Sequence, residues 1–85
     1  MTEAEATKAV ADKLVGNTIT SVSYMSEEIA KDWGFSRRPI TLMLSDGHQL
    51  IILADDEAND GGSVFTSYED LQIVPTLRFL KAQEG

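Results

Sequence analysis

The chain is built around the run Pro39-Ile40-Thr41-Leu42-Met43-Leu44-Ser45-Asp46-Gly47-His48-Gln49-Leu50-Ile51-Ile52-Leu53-Ala54. Two apolar segments flank Asp46-Gly47, and this arrangement is the strongest local signal for a β-hairpin. A two-residue turn at this dipeptide places Ser45 opposite His48 and fixes the register of every pair beyond it. The hairpin therefore predicts which side chains share a face of the sheet.

The predicted register gives the hairpin two faces. The face that we assign to the core pairs Ile40 with Leu53, Leu42 with Ile51, and Leu44 with Gln49. The second face pairs Thr41 with Ile52, Met43 with Leu50, and Ser45 with His48. A solvated face of an antiparallel sheet is normally polar. We therefore expect a helix of the same chain or a second subunit to cover the interface candidates Met43, Leu50 and Ile52.

The same register brings two arginines towards the acidic segment that follows the hairpin. Arg38 faces Asp55 and Arg37 faces Asp56, and such cross-strand pairs of opposite charge contribute roughly 0.2–1 kcal/mol. Pro39 lacks an N–H group, so we expect the ladder to fray or bulge at this position.

Length and charge narrow the classes of function. The 85 residues predict one domain, residues 1–85, with a small core. Because the net charge is −7, the surface repels phosphate, so we expect no nucleic-acid partner. The absence of cysteine excludes disulfides and thiolate metal sites. With no apolar run near the ~20 residues of a membrane helix and no secretory signal, we expect a cytoplasmic protein without a membrane partner.

The N-terminal half predicts a helix, a strand and a short second helix. Thr2 and Glu5 form a capping box ahead of an Ala-, Lys- and Glu-rich segment that ends at Gly16-Asn17. Its narrow apolar stripe, Thr7, Val10, Ala11 and Leu14, is typical of a helix that lies on a sheet. Residues 18–25 are β-branched and aromatic and predict a strand. The parity of Ile19 differs from that of Val22 and Tyr24, so either a bulge lies near Thr20-Ser21 or Ile19 packs elsewhere. Ser26 is a helix N-cap for residues 27–33.

The remaining segments complete an α+β fold. Residues 64–66 predict a short strand, and residues 71–79 alternate like a strand that is broken at Pro75. We expect residues 81–85 to be a frayed tail. The predicted architecture is a bent antiparallel sheet of four or five strands, closed as a small, partly open SH3-like barrel, with the N-terminal helix and the short helix near 27–33. Trp33 and Phe35 are expected to fill one end of the core, with a ligand-stacking platform at Trp33 as the alternative.

The loop after the hairpin is the main candidate for ligand binding. It carries five oxygen-bearing side chains within six residues, namely Asp55, Asp56, Glu57, Asn59 and Asp60. Hard cations such as Ca²⁺ and Mg²⁺ favour such ligands. An EF-hand frame that starts at Asp56 fails, because Ala58 falls at its third position and Ser67 at its twelfth. The competing interpretation is a structural turn in which Asp and Asn bond the local backbone and Gly61-Gly62 supplies positive φ.

Two further candidates concern anions and catalysis. Arg37-Arg38 suits an anionic ligand, although cross-strand neutralisation of Asp55 and Asp56 is the simpler account. His48 is the only histidine, and the acidic loop begins seven residues away, about 23 Å along an extended strand. A hydrolytic triad needs its members in contact. We therefore predict no catalytic residues, no metal site and no cofactor.

Several segments together carry a resemblance. In chain order they are Leu14-Val15-Gly16-Asn17-Thr18-Ile19, Val22 with Tyr24-Met25, Trp33-Gly34, Arg38-Pro39, Leu44-Ser45-Asp46-Gly47 and Asp55-Asp56-Glu57-Ala58-Asn59-Asp60-Gly61-Gly62. Spread over residues 14–65, they resemble a family of small acidic bacterial proteins of unassigned function. The acidic loop is the most specific part, and in that family the position of Ala58 is usually glycine. The resemblance implies no activity, ligand or catalytic residue.

Three functional hypotheses follow. The first is a non-catalytic protein-interaction module that acts as a homodimer, since small domains often gain stability by oligomerising. The second is a small-ligand or divalent-cation binding protein that uses the loop 55–62 with Trp33 and Arg37. The third is an enzyme, which requires His48 and the acidic loop to meet across a subunit interface.

Overall fold

The computed structural model describes residues 1–79 and has an α+β fold. Its elements are α1 Glu3–Leu14, β1 Ile19–Tyr24, α2 Glu27–Asp32, β2 Ile40–Leu44, β3 Gln49–Ile51, β4 Val64–Phe65 and β5 Ile73–Val74. The predicted fold class and both predicted helices are confirmed. The tail predicted for residues 81–85 lies outside the described residues.

Both helices begin where local hydrogen bonds satisfy their first N–H groups. Thr2 Oγ1 accepts from Glu5 N at 3.1 Å, and Glu5 Oε1 accepts from Thr2 N at 2.8 Å. These backbone and side-chain bonds to Thr2 lower the pKa of Glu5. At α2, Ser26 Oγ accepts from Ile29 N at 3.2 Å. The predicted capping box and N-cap are confirmed.

The strands form two antiparallel sheets, one in the order β1-β2-β3 and one of β4 and β5. Isolated bridges pair Arg38 with Leu77 and Leu53 with Gly61. Among residues 1–79 the five predicted strands are present, but they do not close into a barrel. Beyond Ile51, one bond from Ile52 N to Ile40 O at 3.4 Å still joins β3 to β2, and the chain then pairs at Gly61, while Arg38 pairs with Leu77.

The register of the central hairpin differs by one residue from the prediction. The observed pairs are Thr41 with Ile51, Leu42 with Leu50, and Met43 with Gln49. Leu44 N donates to His48 O at 2.8 Å, and Gly47 N donates to Leu44 O at 3.0 Å. Gly47 has φ +89°, whereas φ at Asp46 is not positive. The loop therefore has three residues, 45–47, with glycine in the left-handed position of a bulged turn.

This shift regroups the side chains of the sheet. What we call the apolar face carries Ile19, Val22, Tyr24, Ile40, Leu42, Leu44 and Leu50, while the opposite face carries Ser21, Ser23, Thr41, Met43, Gln49 and Ile51. Leu42 and Ile51 thus lie on opposite sides, and the predicted cross-strand pairs are wrong. By alternation Ile52 follows Leu50 on the apolar face, so the predicted grouping of both residues with Met43 is also wrong.

The predicted bulge in β1 is confirmed. The register between β1 and β2 shifts between Ile19 and Ser21, which leaves Thr20 without a partner. One extra residue reverses the alternation. Ile19 therefore reaches the same face as Val22.

The core is small and lies beside α2. Its main cluster consists of Met25, Ala30, Phe35 and Phe79, with Ile51 and Leu53 packed against it, and Ile40 and Leu44 are buried as well. Trp33 contacts the Phe35 ring edge-on at 5.5 Å but is half exposed, so Phe35 fills the core as predicted and Trp33 does not.

Helix α1 does not lie on a sheet as its stripe predicts. It has no buried residue, and Val10 is more than half exposed. Its C-terminus is attached instead through Asn17, whose Nδ2 donates to Lys13 O and to Asp46 Oδ2, both at 3.0 Å. The apolar stripe of the helix therefore remains open to solvent.

Candidate functional site

The acidic loop is closed at its base by close backbone contacts. Ala54 N donates to Asp60 O and Gly62 N donates to Ile52 O, both at 3.0 Å. Neither Gly61 nor Gly62 has positive φ, so the predicted reason for these glycines is wrong. A Cβ atom on Gly62 would lie 2.6 Å from Leu53 O. Glycine is required here because the two backbone segments approach too closely for a side chain.

Within the loop, the side-chain oxygen atoms of Asp55 and Glu57 accept hydrogen bonds from other groups of the same loop. Asp55 Oδ1 accepts from Glu57 N at 3.0 Å and from Asn59 N at 3.1 Å. Asn59 Nδ2 donates to Asp55 Oδ2 at 2.9 Å and to Glu57 Oε1 at 3.3 Å. The Asn59 amide, followed by the backbone N–H groups, lowers the pKa of Asp55. This arrangement is the structural turn of the competing interpretation.

Ala58 occupies the one strained backbone position of this loop. Its φ of +58° lies in the left-handed region, which disfavours residues with a Cβ atom. Glycine adopts this conformation without strain, so the backbone at position 58 favours glycine over alanine.

Asp60 joins the loop to the segment between α2 and β2. Its Oδ1 accepts from Ser36 N and Arg37 N at 3.0 Å each and from Gly61 N at 2.8 Å, while Oδ2 accepts from Ser36 Oγ. Burial opposes ionisation, but the bonds from Ser36 Oγ and the three N–H groups outweigh it and lower the pKa of Asp60. Asp60 is therefore a structural acid that holds two segments together.

The remaining predicted ligands are dispersed. Asp56 is exposed, and no described residue donates a hydrogen bond to its carboxylate. Within residues 1–79 there is no group of three or more His, Asp or Glu side chains placed to hold a metal ion. Trp33 caps α2 and contacts the Phe35 ring, and no described hydrogen bond joins it to the loop.

The two arginines do not pair with the loop as predicted. Among the described residues neither forms an ion pair with Asp55 or Asp56. Arg38 Nε donates instead to Met25 O at 2.9 Å, because the backbone of Arg38 pairs with Leu77. Arg37 borders an open recess of about 400 Å³ beside Gly61 and Gly62. The arginines therefore point to different parts of the molecule.

His48 lies at the hairpin turn and is largely exposed. Its Nδ1 is 3.4 Å from Asp46 Oδ1, and its backbone N donates to the same oxygen at 3.0 Å. That backbone bond, with the side chain of Asn17, lowers the pKa of Asp46. The acidic loop follows the opposite end of β3, as the sequence predicts.

One apolar feature was not predicted from the sequence. We call it the apolar groove; it encloses about 550 Å³ between the apolar face and the β4–β5 sheet. On one side it is lined by Ile19, Val22, Tyr24, Ile40 and Leu42. On the other side it is lined by Val64, Thr66, Tyr68, Leu71, Val74 and Pro75. The Tyr24 hydroxyl donates to Pro75 O at 2.7 Å and connects the two walls.

Large apolar side chains of the groove are open to solvent. Ile19 is 54%, Val22 59%, Tyr68 70% and Leu71 50% exposed. For the wall formed by β1, the sequence signal was that Val22 and Tyr24 lie on the same face of the strand. The bulge brings Ile19 to that face as well. The opposite wall comes from residues that are distant in sequence, so no local pattern indicated the groove.

Comparison of the chain with protein-family profiles, curated proteins and solved structures finds no match. The resemblance to the small acidic bacterial family therefore stays a prediction. Among residues 1–79, no helix has the length and apolar character needed to cross a membrane.

Proposed function

We propose that this chain is a non-catalytic protein-interaction module of the cytoplasm that acts as a homodimer through the face bearing the apolar groove. The observation that carries the proposal is the exposure of Ile19 and Val22 on one wall and of Tyr68 and Leu71 on the other. A contiguous exposed apolar surface on a small domain marks an interaction site. Covering the exposed part of each side chain contributes about 1 kcal/mol.

The dimensions of the chain also support a partner. The radius of gyration of its Cα atoms is 14.7 Å, whereas a compact domain of this length has about 12 Å. A second copy of the chain supplies apolar surface that covers the exposed side chains of the groove without a different protein. Closed twofold dimers are the commonest oligomers.

The experiment is to measure molar mass by size-exclusion chromatography with light scattering over a range of protein concentrations. We expect the unmodified chain to have twice its 9.3 kDa mass and Val22→Glu to shift to the monomer, because the variant buries a charge at the contact. Gln49→Glu is the matched control, since it introduces the same charge on the opposite face of the same sheet. A monomeric unmodified chain, or equal effects of both variants, contradicts the proposal.

A further inference from the structure

Strand β1 has a free edge in the described structure. It is the outer strand of the β1-β2-β3 sheet, and five of its six residues are exposed. Met25 N donates to Pro39 O at 2.9 Å, so the backbone N–H of Met25 points towards the β2 side of the strand. Because backbone groups alternate in direction along a strand, the N–H and C=O groups of Val22 and Tyr24 point away from β2. Within residues 1–79 no strand accepts or donates at these groups.

Apart from the bulge at Thr20, this edge has little protection against pairing. Exposed edges are normally blocked by charged residues or proline, and β1 contains neither. It lies within residues 14–26, the longest uncharged run of the sequence. Since the chain has a net charge of −7, two copies repel each other over most of their surface. The edge of β1 is the place where they approach with least repulsion.

We infer that two copies join their β1 strands in antiparallel orientation about a twofold axis at Ser23, which makes one continuous six-stranded sheet. This inference rests on the proposed homodimer and specifies its contact. In this register Val22 of each copy faces Tyr24 of the other, so both outward-facing residues of each strand exchange hydrogen bonds. The bulge at Thr20 lies outside the paired segment.

The side chains favour the same register. Val22 and Tyr24 lie on the apolar face, so each pair across the axis joins a β-branched residue to an aromatic one. Such cross-strand pairs are among the stabilising combinations in antiparallel sheets. The pairing also covers part of the exposed surface of Val22 and makes the two apolar faces continuous.

Single cysteines test this contact, because the chain has no cysteine of its own. In the inferred register the two Ser23 residues form a non-hydrogen-bonded pair with Cα atoms about 4.5 Å apart, a separation that a disulfide spans. Ser21→Cys is the matched control on the same strand and face. Its two copies would be about 13 Å apart along the strands, four residues at ~3.3 Å.

We expect mild oxidation to cross-link Ser23→Cys at least tenfold faster than Ser21→Cys on non-reducing gels. Because Ser23 Oγ lies 3.0 Å from Thr41 Oγ1, folding of the reduced variant is verified by circular dichroism. Hydrogen exchange of the unmodified chain supplies a second readout that needs no substitution. The amides of Val22 and Tyr24 should be protected at concentrations where the chain is dimeric.

The outcomes separate this inference from the proposed function. A dimer whose Ser23→Cys variant cross-links no faster than Ser21→Cys, or whose Val22 and Tyr24 amides exchange rapidly, overturns the β1 contact and leaves the homodimer in place. A chain that is monomeric at every concentration overturns both the homodimer and the β1 contact. In that case a strand of a different protein is the remaining candidate for pairing with the edge.

Discussion

Replacing Asp60 by alanine removes the carboxylate that joins the acidic loop to Ser36 and Arg37. Four donors lose their acceptor, namely the N–H groups of Ser36, Arg37 and Gly61 and the Ser36 hydroxyl. The bonds from Arg37 and Gly61 are partly buried, whereas those from Ser36 are exposed and can be replaced by water. We assign about 1 kcal/mol to each partly buried bond and about half of that to each exposed one.

The expected loss for Asp60→Ala is therefore about 3 kcal/mol of the free energy of unfolding. Asp60→Asn keeps an acceptor oxygen for the N–H groups and loses the charge, so it should cost about 1 kcal/mol. Asp56→Ala is the matched control in the same loop. Exposed substitutions away from structural features change stability by less than about 0.5 kcal/mol.

The assay is urea unfolding at fixed protein concentration, since the stability of a dimer depends on concentration. It is repeated from pH 7 downwards. The folded state holds the pKa of Asp60 below its ordinary value of 3.8, so the carboxylate stabilises the fold at pH values above 3.8. This contribution disappears as the pH falls through the lowered folded-state pKa, and the gap between the unmodified chain and Asp60→Asn should close there. An Asp60→Ala variant as stable as Asp56→Ala, or a gap that does not depend on pH, would refute the structural role of Asp60.

Two further predictions concern the backbone of the same loop. Ala58→Gly should raise the free energy of unfolding by about 0.5–1 kcal/mol, because glycine adopts φ +58° without strain; a loss of stability in urea unfolding would contradict the assigned conformation. Gly61→Ala should lower the melting temperature and cost about 1–3 kcal/mol, because its Cβ would lie 2.8 Å from Pro39 Cδ and 2.9 Å from Arg37 O. The exposed Ser63→Ala serves as control, and equal melting temperatures of the two variants would rule out this close approach.

The features that the sequence predicted correctly depend on neighbouring residues. The capping box of Thr2 with Glu5 and the N-cap at Ser26 each join groups three positions apart. The bulge at Thr20 follows from the parity of Ile19 within a single strand. Interactions of this range can be recognised from spacing alone.

The hairpin register was not predictable from the hairpin itself. Asp46-Gly47 is compatible with a two-residue turn and with a three-residue loop whose last position is Gly47. The observed loop is held by Asn17, whose Oδ1 accepts from Ser45 Oγ at 2.8 Å and from Asp46 N at 3.3 Å. These contacts span 28 and 29 positions. The loop is one residue longer than predicted, and this difference shifts each predicted pair between β2 and β3 by one residue.

For the candidate sites too, the contacts between distant residues were not predicted. The sequence correctly indicated a loop in which the side chain of Asp55 bonds the local backbone. It did not indicate that Asp60 bonds Ser36, 24 positions away, or that Arg38 turns to Met25. The apolar groove is likewise formed by two sheets whose mutual placement no local pattern specifies.

We propose that two copies of the chain join through β1, at the edge of the β1-β2-β3 sheet that bears the apolar face. The most direct measurement is the molar mass of the unmodified protein in solution, determined by light scattering as the concentration is lowered from hundreds of micromolar. We predict twice the mass of the chain at high concentration and a dissociation that Val22→Glu moves to higher concentration. A constant mass of 9.3 kDa throughout would contradict the account.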